Sequence, residues 1–210
     1  MTRYVFALIA MGVVMGGCGG QSPLSPGPVS PDRSDCQLFP AQASSSYVLP
    51  YAIGQASFVV RTVEHGDPQR YAIDFLRPMA SVVVAARAGR VVEAEAQWTD
   101  TDHTFGHENH VFVQHDDGTV ARYFHLTQGG VAVELGQTVV QGQRIGLSGN
   151  SSNSTAPHLH FDVVEARCGK PWPEGPYTDR CHNTVPVTFR NTKQQACGLA
   201  SGDTYVAQPY

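Results

Sequence analysis

Outside its amino terminus the 210-residue chain has no apolar run that could cross a bilayer, no block of basic residues and no stretch with a sustained helical period. A spanning helix needs about 20 predominantly apolar residues, so no second segment qualifies as one. With 14 Lys and Arg against 18 Asp and Glu, net charge −4, nothing here supports nucleic-acid binding. The missing 3.6-residue period argues against a helical core. The one apolar run, Tyr4 to Met15, follows a single positive charge at Arg3 and stops at Gly16-Gly17-Cys18. It is too short to span, and its order of charge, apolar stretch and small residues predicts a signal peptide over 1–17.

Met15-Gly16-Gly17-Cys18 resembles the lipobox of bacterial lipoproteins. That resemblance implies a lipidated Cys18 as first mature residue, inserted in a lipid bilayer; the alternative is an ordinary signal peptide with a structural Cys18. Setting Cys18 apart from the five cysteines leaves Cys36, Cys168, Cys181 and Cys197, an even number suited to an oxidising compartment. Of the three connectivities, Cys168–Cys181, close in sequence, with Cys36–Cys197, joining the ends of the domain, is favoured. Residues up to 35 are rich in Gly, Ser and Pro with little to bury, so 18–35 reads as a lipid-linked flexible tether. In an extended state, at about 3.1 Å per residue, it would hold a domain roughly 50 Å from the lipid. Residues 36–210 suffice for one domain with its own core.

That domain reads as all-β, a mostly antiparallel sandwich or barrel. Short apolar or alternating runs lie between turn residues, as at Ser57–Arg61, Ser81–Ala86, Gly89–Val92, His110–Gln114, Val131–Val133 and His158–Val164. Asp116-Asp117-Gly118 between two such runs predicts a tight hairpin that pairs the preceding strand with Val120–Leu126. Gln97–Glu108, polar and aromatic, reads as a long loop beside the surface the strands present.

A lone histidine is usually a surface or hydrogen-bonded residue, so each of the nine needs context. Pro157-His158-Leu159-His160-Phe161 supplies it: residues two apart on a strand face the same way, which sets two imidazoles side by side. Tyr71-Ala72-Ile73-Asp74-Phe75 places a carboxylate in an apolar strand, where it costs several kcal/mol unless a cation or charged neighbours compensate it. His and Asp without thiolates suit a catalytic rather than a closed structural Zn²⁺ site.

Asp74, Ala86-Arg87-Ala88-Gly89-Arg90-Val91, Tyr123-Phe124-His125-Leu126, Gly142 through Asn150 and Pro157-His158-Leu159-His160-Phe161 stand in the order that resembles the lysostaphin-like, LytM-type zinc metallopeptidases, over roughly 65–164. The resemblance implies the duplicated hybrid motif fold, a compact β-structure with a groove along one sheet and Zn²⁺ at its floor. It implies Asp74 and His160 as zinc ligands and His125 and His158 as the two non-ligand catalytic histidines. The commonest pattern has a ligand histidine four residues before the aspartate, where this chain has Arg70. His65, nine residues before Asp74, is assigned instead, as in an expanded version of the motif whose Gly66-Asp67-Pro68 loops out. His103, His107 and His110 remain rival candidates that could line the groove; His115 and His182 read as surface or hydrogen-bonding residues. Ala80 and Ala156 stand where the family usually has glycine, and Ser151-Ser152 replaces a Thr-Gly pair, so these loops are expected to be shaped differently.

The resemblance further implies a metalloendopeptidase in which zinc-bound water is the nucleophile and His125 and His158 handle protons, their assignments exchangeable; no His-Glu-x-x-His run offers a glutamate base. Its expected substrate is the peptide part of peptidoglycan. Gly19 after Cys18 favours, by analogy, an outer-membrane anchor facing the periplasm. Two alternatives stay open at this point: a non-catalytic wall-binding activator of a separate amidase, and the same hydrolase acting on another envelope or secreted protein.

Overall fold

The computed structural model describes residues 35–165 and 183–210. The expected signal peptide, lipidated Cys18 and all but the last residue of the tether lie outside the described residues, as do Cys168, Cys181 and His182. Among the described residues ten strands form in chain order: β1 (Ala56–Arg61), β2 (Ile73–Leu76), β3 (Val82–Val84), β4 (Gly89–Glu95), β5 (His110–Gln114), β6 (Thr119–Phe124), β7 (Thr138–Val139), β8 (Arg144–Leu147), β9 (His158–Glu165) and β10 (Thr204–Val206). Eight of them make one sheet in the order β10-β1-β2-β9-β6-β5-β4-β7, and β3 with β8 makes a second, every ladder antiparallel. Helical structure among the described residues is confined to three short 3-10 turns, so the fold is all-β as expected.

The hairpin at Asp116-Asp117-Gly118 is present. Gln114 pairs with Val120, the His115 amide donates to the Thr119 carbonyl, and Gly118 takes the positive φ of 82° that glycine accepts freely. Val131–Val133, by contrast, is not a strand. Val133 is buried and the Ala132 amide reaches the Ile145 carbonyl, so its apolar run marks burial beside β8 rather than a ladder.

Alternation along the central strands decides where chemistry can sit. Leu159, Phe161 and Val163 of β9 point into the core with Val59, Phe75 and Tyr123, each such side chain contributing about 1.5–3 kcal/mol through burial. With a period of two, His158, His160 and Asp162 must then face the opposite side of the sheet. The carboxy-terminal residues pack behind: Phe189 meets Phe75 and Phe161 at ring distances of 6.3 and 5.8 Å, and β10 extends the sheet beyond β1. A disulfide joins Cys36 to Cys197 across a separation of 161 residues, the pairing expected from the sequence.

Candidate metal centre

Asp74 of β2 stands opposite His160 of β9 in the strand register, with His158 opposite Leu76. The His160 Nδ1 lies 2.9 Å from Asp74 Oδ1. His65 arrives from outside the sheet on a 3-10 turn, Val63–His65, and sets its Nε2 3.1 Å from Asp74 Oδ2. That turn is pinned by its neighbour Glu64, whose carboxylate accepts from the Thr62 amide at 2.8 Å and from the Ser201 hydroxyl at 2.8 Å. Gly66, at φ 70°, then turns the chain away toward β2. One ligand-type atom from each of His65, Asp74 and His160 lies within 4.8 Å of the others. Arg70, at the position where the commoner pattern has its histidine, points elsewhere and donates through Nε to Asp35 at 2.9 Å.

Proton placement shows what this cluster is built for. The His65 Nδ1 is 2.7 Å from the Thr62 carbonyl, so Nδ1 donates there and Nε2 turns a lone pair toward Asp74. The His160 Nε2 is 3.4 Å from Asp162 Oδ2, so it donates there and leaves the Nδ1 lone pair facing Asp74. Asp162 is held in turn by both forks of Arg122, at 2.7 Å each. Two lone pairs and a carboxylate converge, which repel unless positive charge sits among them. Without a metal a proton fills that role. Burial pushes the His160 imidazole down, but Asp162 and Asp74 outweigh it and raise it to about 9. Burial likewise opposes ionisation of Asp74; when protons stand in for the metal, hydrogen bonds from the His160 and His65 imidazoles hold its carboxyl well below the ordinary range. A dication with N and O preferences fits this donor set, and with three protein ligands it leaves a coordination position free.

His158 and His125 complete the floor. The His158 Nδ1 is 2.8 Å from the Ala156 carbonyl and 3.1 Å from the Ser154 hydroxyl, and its Nε2 is 3.6 Å from Asp74 Oδ1. His125 follows β6 with φ 59°, a left-handed conformation uncommon for a non-glycine residue, and its Nδ1 meets the Ser151 carbonyl at 2.8 Å. The two rings lie 4.6 Å apart. Burial lowers the pKa of both. For His125 the neighbouring His158 and His160 add to burial and take it to about 3, whereas at His158 Asp74 opposes the fall. Both are therefore neutral near pH 7, each with Nδ1 committed to a carbonyl and Nε2 available as an acceptor.

These side chains lie at the bottom of a cleft of about 570 Å³. Arg61, Leu76, Phe105, Glu108 and residues 153–156 line it, so the Gln97–Glu108 loop reaches the groove. His103, His107 and His110, the rival candidates, do not line it. His107 stacks on Trp98 at 3.6 Å and pairs with Asp102, His103 faces the Ser152 carbonyl, and His110 pairs with Glu93. His115 is buried and bonded to the Ala88 carbonyl. Ala80 and Ser152 carry positive φ, 60° and 65°, while Ala156 does not, so only the first of the two Gly-to-Ala departures falls where backbone handedness matters. Arg122 and Asp162 went unnoticed in the sequence; the signal was Asp162 continuing the every-second-residue series of His158 and His160.

A family model described as Peptidase family M23 matches residues 68–171, beginning three residues after His65. Among curated proteins, peptidoglycan DD-endopeptidase ShyA of Vibrio cholerae is 37% identical over 91 residues, 43% of this chain and 19% of that protein. Glycyl-glycine endopeptidase ALE-1 of Staphylococcus capitis is 39% identical over 92 residues, 43% of this chain and 23% of that protein. The chain thus spans about a fifth of the length of these relatives. Among solved structures, the antimicrobial peptidase lysostaphin from Staphylococcus simulans aligns at 25% identity with a TM-score of 0.44, over 68% of this chain and 52% of that one.

Proposed function

We propose that the chain, whose residues 68–171 match the model of peptidase family M23, is a zinc metalloendopeptidase that hydrolyses peptide bonds in the cross-links of peptidoglycan. The observation that carries the proposal is the convergence of His65, Asp74 and His160, each presenting a bare ligand atom, on the floor of an open cleft. The substrate class is supported by the names of relatives such as the peptidoglycan DD-endopeptidase of V. cholerae. The order of residues around Arg3 to Cys18 supports an exported, lipid-anchored protein, which would bring the domain to the wall.

In this reading His65 would hold the metal through Nε2, His160 through Nδ1, and Asp74 through its carboxylate. Zinc so bound supplies a Lewis acid for the scissile carbonyl and brings the pKa of water toward about 7. His125 and His158 do the proton work. Each is neutral with Nδ1 facing a carbonyl, which leaves Nε2 as the acceptor, so one can take the proton of the attacking water. Once protonated, an imidazole becomes a donor, able to stabilise the oxyanion or to protonate the departing amine. The carbonyls of Ser151 and Ala156 keep the two rings aimed throughout. Arg61, Phe105 and Glu108 line the same cleft and are available to contact a bound peptide.

The test is digestion of purified peptidoglycan by the zinc-loaded protein, with products identified by mass spectrometry. New free amino termini in the stem peptides, abolished by a chelator and restored by zinc, are the expected result. A zinc-loaded protein that opens no peptide bond in walls of either cross-link type would overturn it.

A further inference from the structure

We infer that Arg122 and Asp162 are a positioning pair for the metal centre: they fix His160 with its hydrogen on Nε2 and so assign Nδ1 as the atom that binds the cation. The inference rests on the zinc reading above. Asp162 lies two residues beyond His160 on β9, and Arg122 stands directly opposite it on β6, one step along the sheet face from the Phe124–His160 pair. Both are buried, Asp162 completely and Arg122 to 5% exposure. Arg122 donates Nε to one carboxylate oxygen and Nη2 to the other, and the second oxygen also accepts from His160.

Stability alone does not account for this pair. The Arg122 guanidinium lies 5.3 Å from the Phe124 ring and 6.0 Å from the Phe112 ring, in surroundings where apolar residues would pack. Replacing a buried ion pair by apolar residues of similar volume is often neutral or stabilising. What apolar residues could not do is hold an imidazole by the nitrogen that faces away from the metal. The two histidine ligands need opposite tautomers, Nε2 bare in His65 and Nδ1 bare in His160. His65 obtains its tautomer from a backbone carbonyl, that of Thr62. His160, mid-strand with its neighbouring carbonyls in ladders, depends on a side chain, and Arg122 leaves that side chain free only to accept.

The experiment uses the full chain labelled with ¹⁵N-histidine and loaded with ¹¹³Cd²⁺. One-bond metal–nitrogen coupling to His160 Nδ1, with a hydrogen retained on Nε2, is the expected spectrum; coupling through Nε2, or a bare Nε2, would overturn the inference while leaving the metal site standing. Binding of no metal at all would remove both readings. In parallel, an Arg122→Met, Asp162→Leu double variant is expected to melt within a few degrees of wild type yet bind zinc about 10–100-fold more weakly in chelator competition. A folded double variant with unchanged affinity would reduce the pair to a packing role. Should it fail to fold, the wild-type cadmium spectrum decides.

Discussion

Asp74 and His160 face each other across the β2–β9 ladder, and the imidazole Nδ1 and carboxylate Oδ1 approach to 2.9 Å with His65 closing from a separate turn. Two of the proposed ligands are thus positioned by strand register and the third by a local turn. One zinc per chain is the expected stoichiometry by elemental analysis. His65→Ala, Asp74→Asn and His160→Ala should each lose it, while Arg70→Ala, which changes a side chain bonded to Asp35 on the outside, should keep it. Zinc loss on changing Arg70 but not His65 would refute the expanded motif.

The same division explains what was legible beforehand. Asp74, His158 and His160 lie on strands, where period-two alternation fixes the face, and an apolar strand interrupted by one carboxylate is a signal in itself. His65 was legible only by resemblance, because nothing in Glu64-His65-Gly66 announces that Glu64 will reach back to Thr62 and forward to Ser201. His103, His107 and His110 stayed open as rivals because composition cannot separate a groove histidine from one stacked on Trp98 or paired with Glu93. The strands missed, β7, β8 and β10, are short, and their pairing is set by distant partners rather than by their own pattern.

The Cys36–Cys197 bridge closes nearly the whole described domain, with Cα atoms 4.5 Å apart. Restricting so long a loop in the unfolded chain contributes on the order of 2–5 kcal/mol. A Cys36→Ser, Cys197→Ser double variant should lose about that much in urea denaturation and still bind zinc, since neither cysteine is among the candidate ligands or the cleft residues. No change in the denaturation midpoint would show that the bridge does not form.

Ala80 occupies φ 60° while its amide donates to the Ser148 carbonyl at 2.7 Å, tying the loop before β3 to the end of β8. The left-handed region costs a non-glycine residue about 1 kcal/mol, part of which glycine gives back through its freer unfolded chain. Ala80→Gly should therefore stabilise by about 0.5–1 kcal/mol, read from thermal or urea melts. A destabilised variant would mean that the Ala80 methyl makes contacts worth more than the strain.

His115, which does not line the cleft, should contribute to the pH dependence of stability alongside His125 and His158. Burial pushes its imidazole down to about 4, with the bond to the Ala88 carbonyl opposing. Its folded pKa is below the unfolded value of about 6.5, so the unfolded chain takes up the proton first. The stability it lends is complete above about 6.5 and is lost as pH falls toward 4, up to about 3 kcal/mol in all. His115→Asn keeps an N–H for Ala88 and removes the titration. Between pH 6.5 and 4.5 the variant should lose clearly less stability than wild type; parallel curves would contradict the assignment.

His125 and His158 separate catalysis from metal binding. Both carry their hydrogen on the nitrogen that meets a carbonyl, and neither Nε2 has a place among the three ligand atoms. Removing either should leave zinc content intact and lower kcat by about 10²–10⁴-fold, the range for loss of a general acid or base. For His125 the informative change is to asparagine rather than alanine. Asparagine is at ease at φ 59° and its amide can still donate to Ser151, so the backbone and the loop are kept while the basic nitrogen is lost. His158→Ala suffices at the start of β9, where φ is ordinary. Because burial leaves His125 neutral far below pH 7, its loss should depress activity evenly across neutral pH rather than shift the profile. A variant at either position that holds one zinc and turns over peptide at the wild-type rate would take that histidine out of the mechanism.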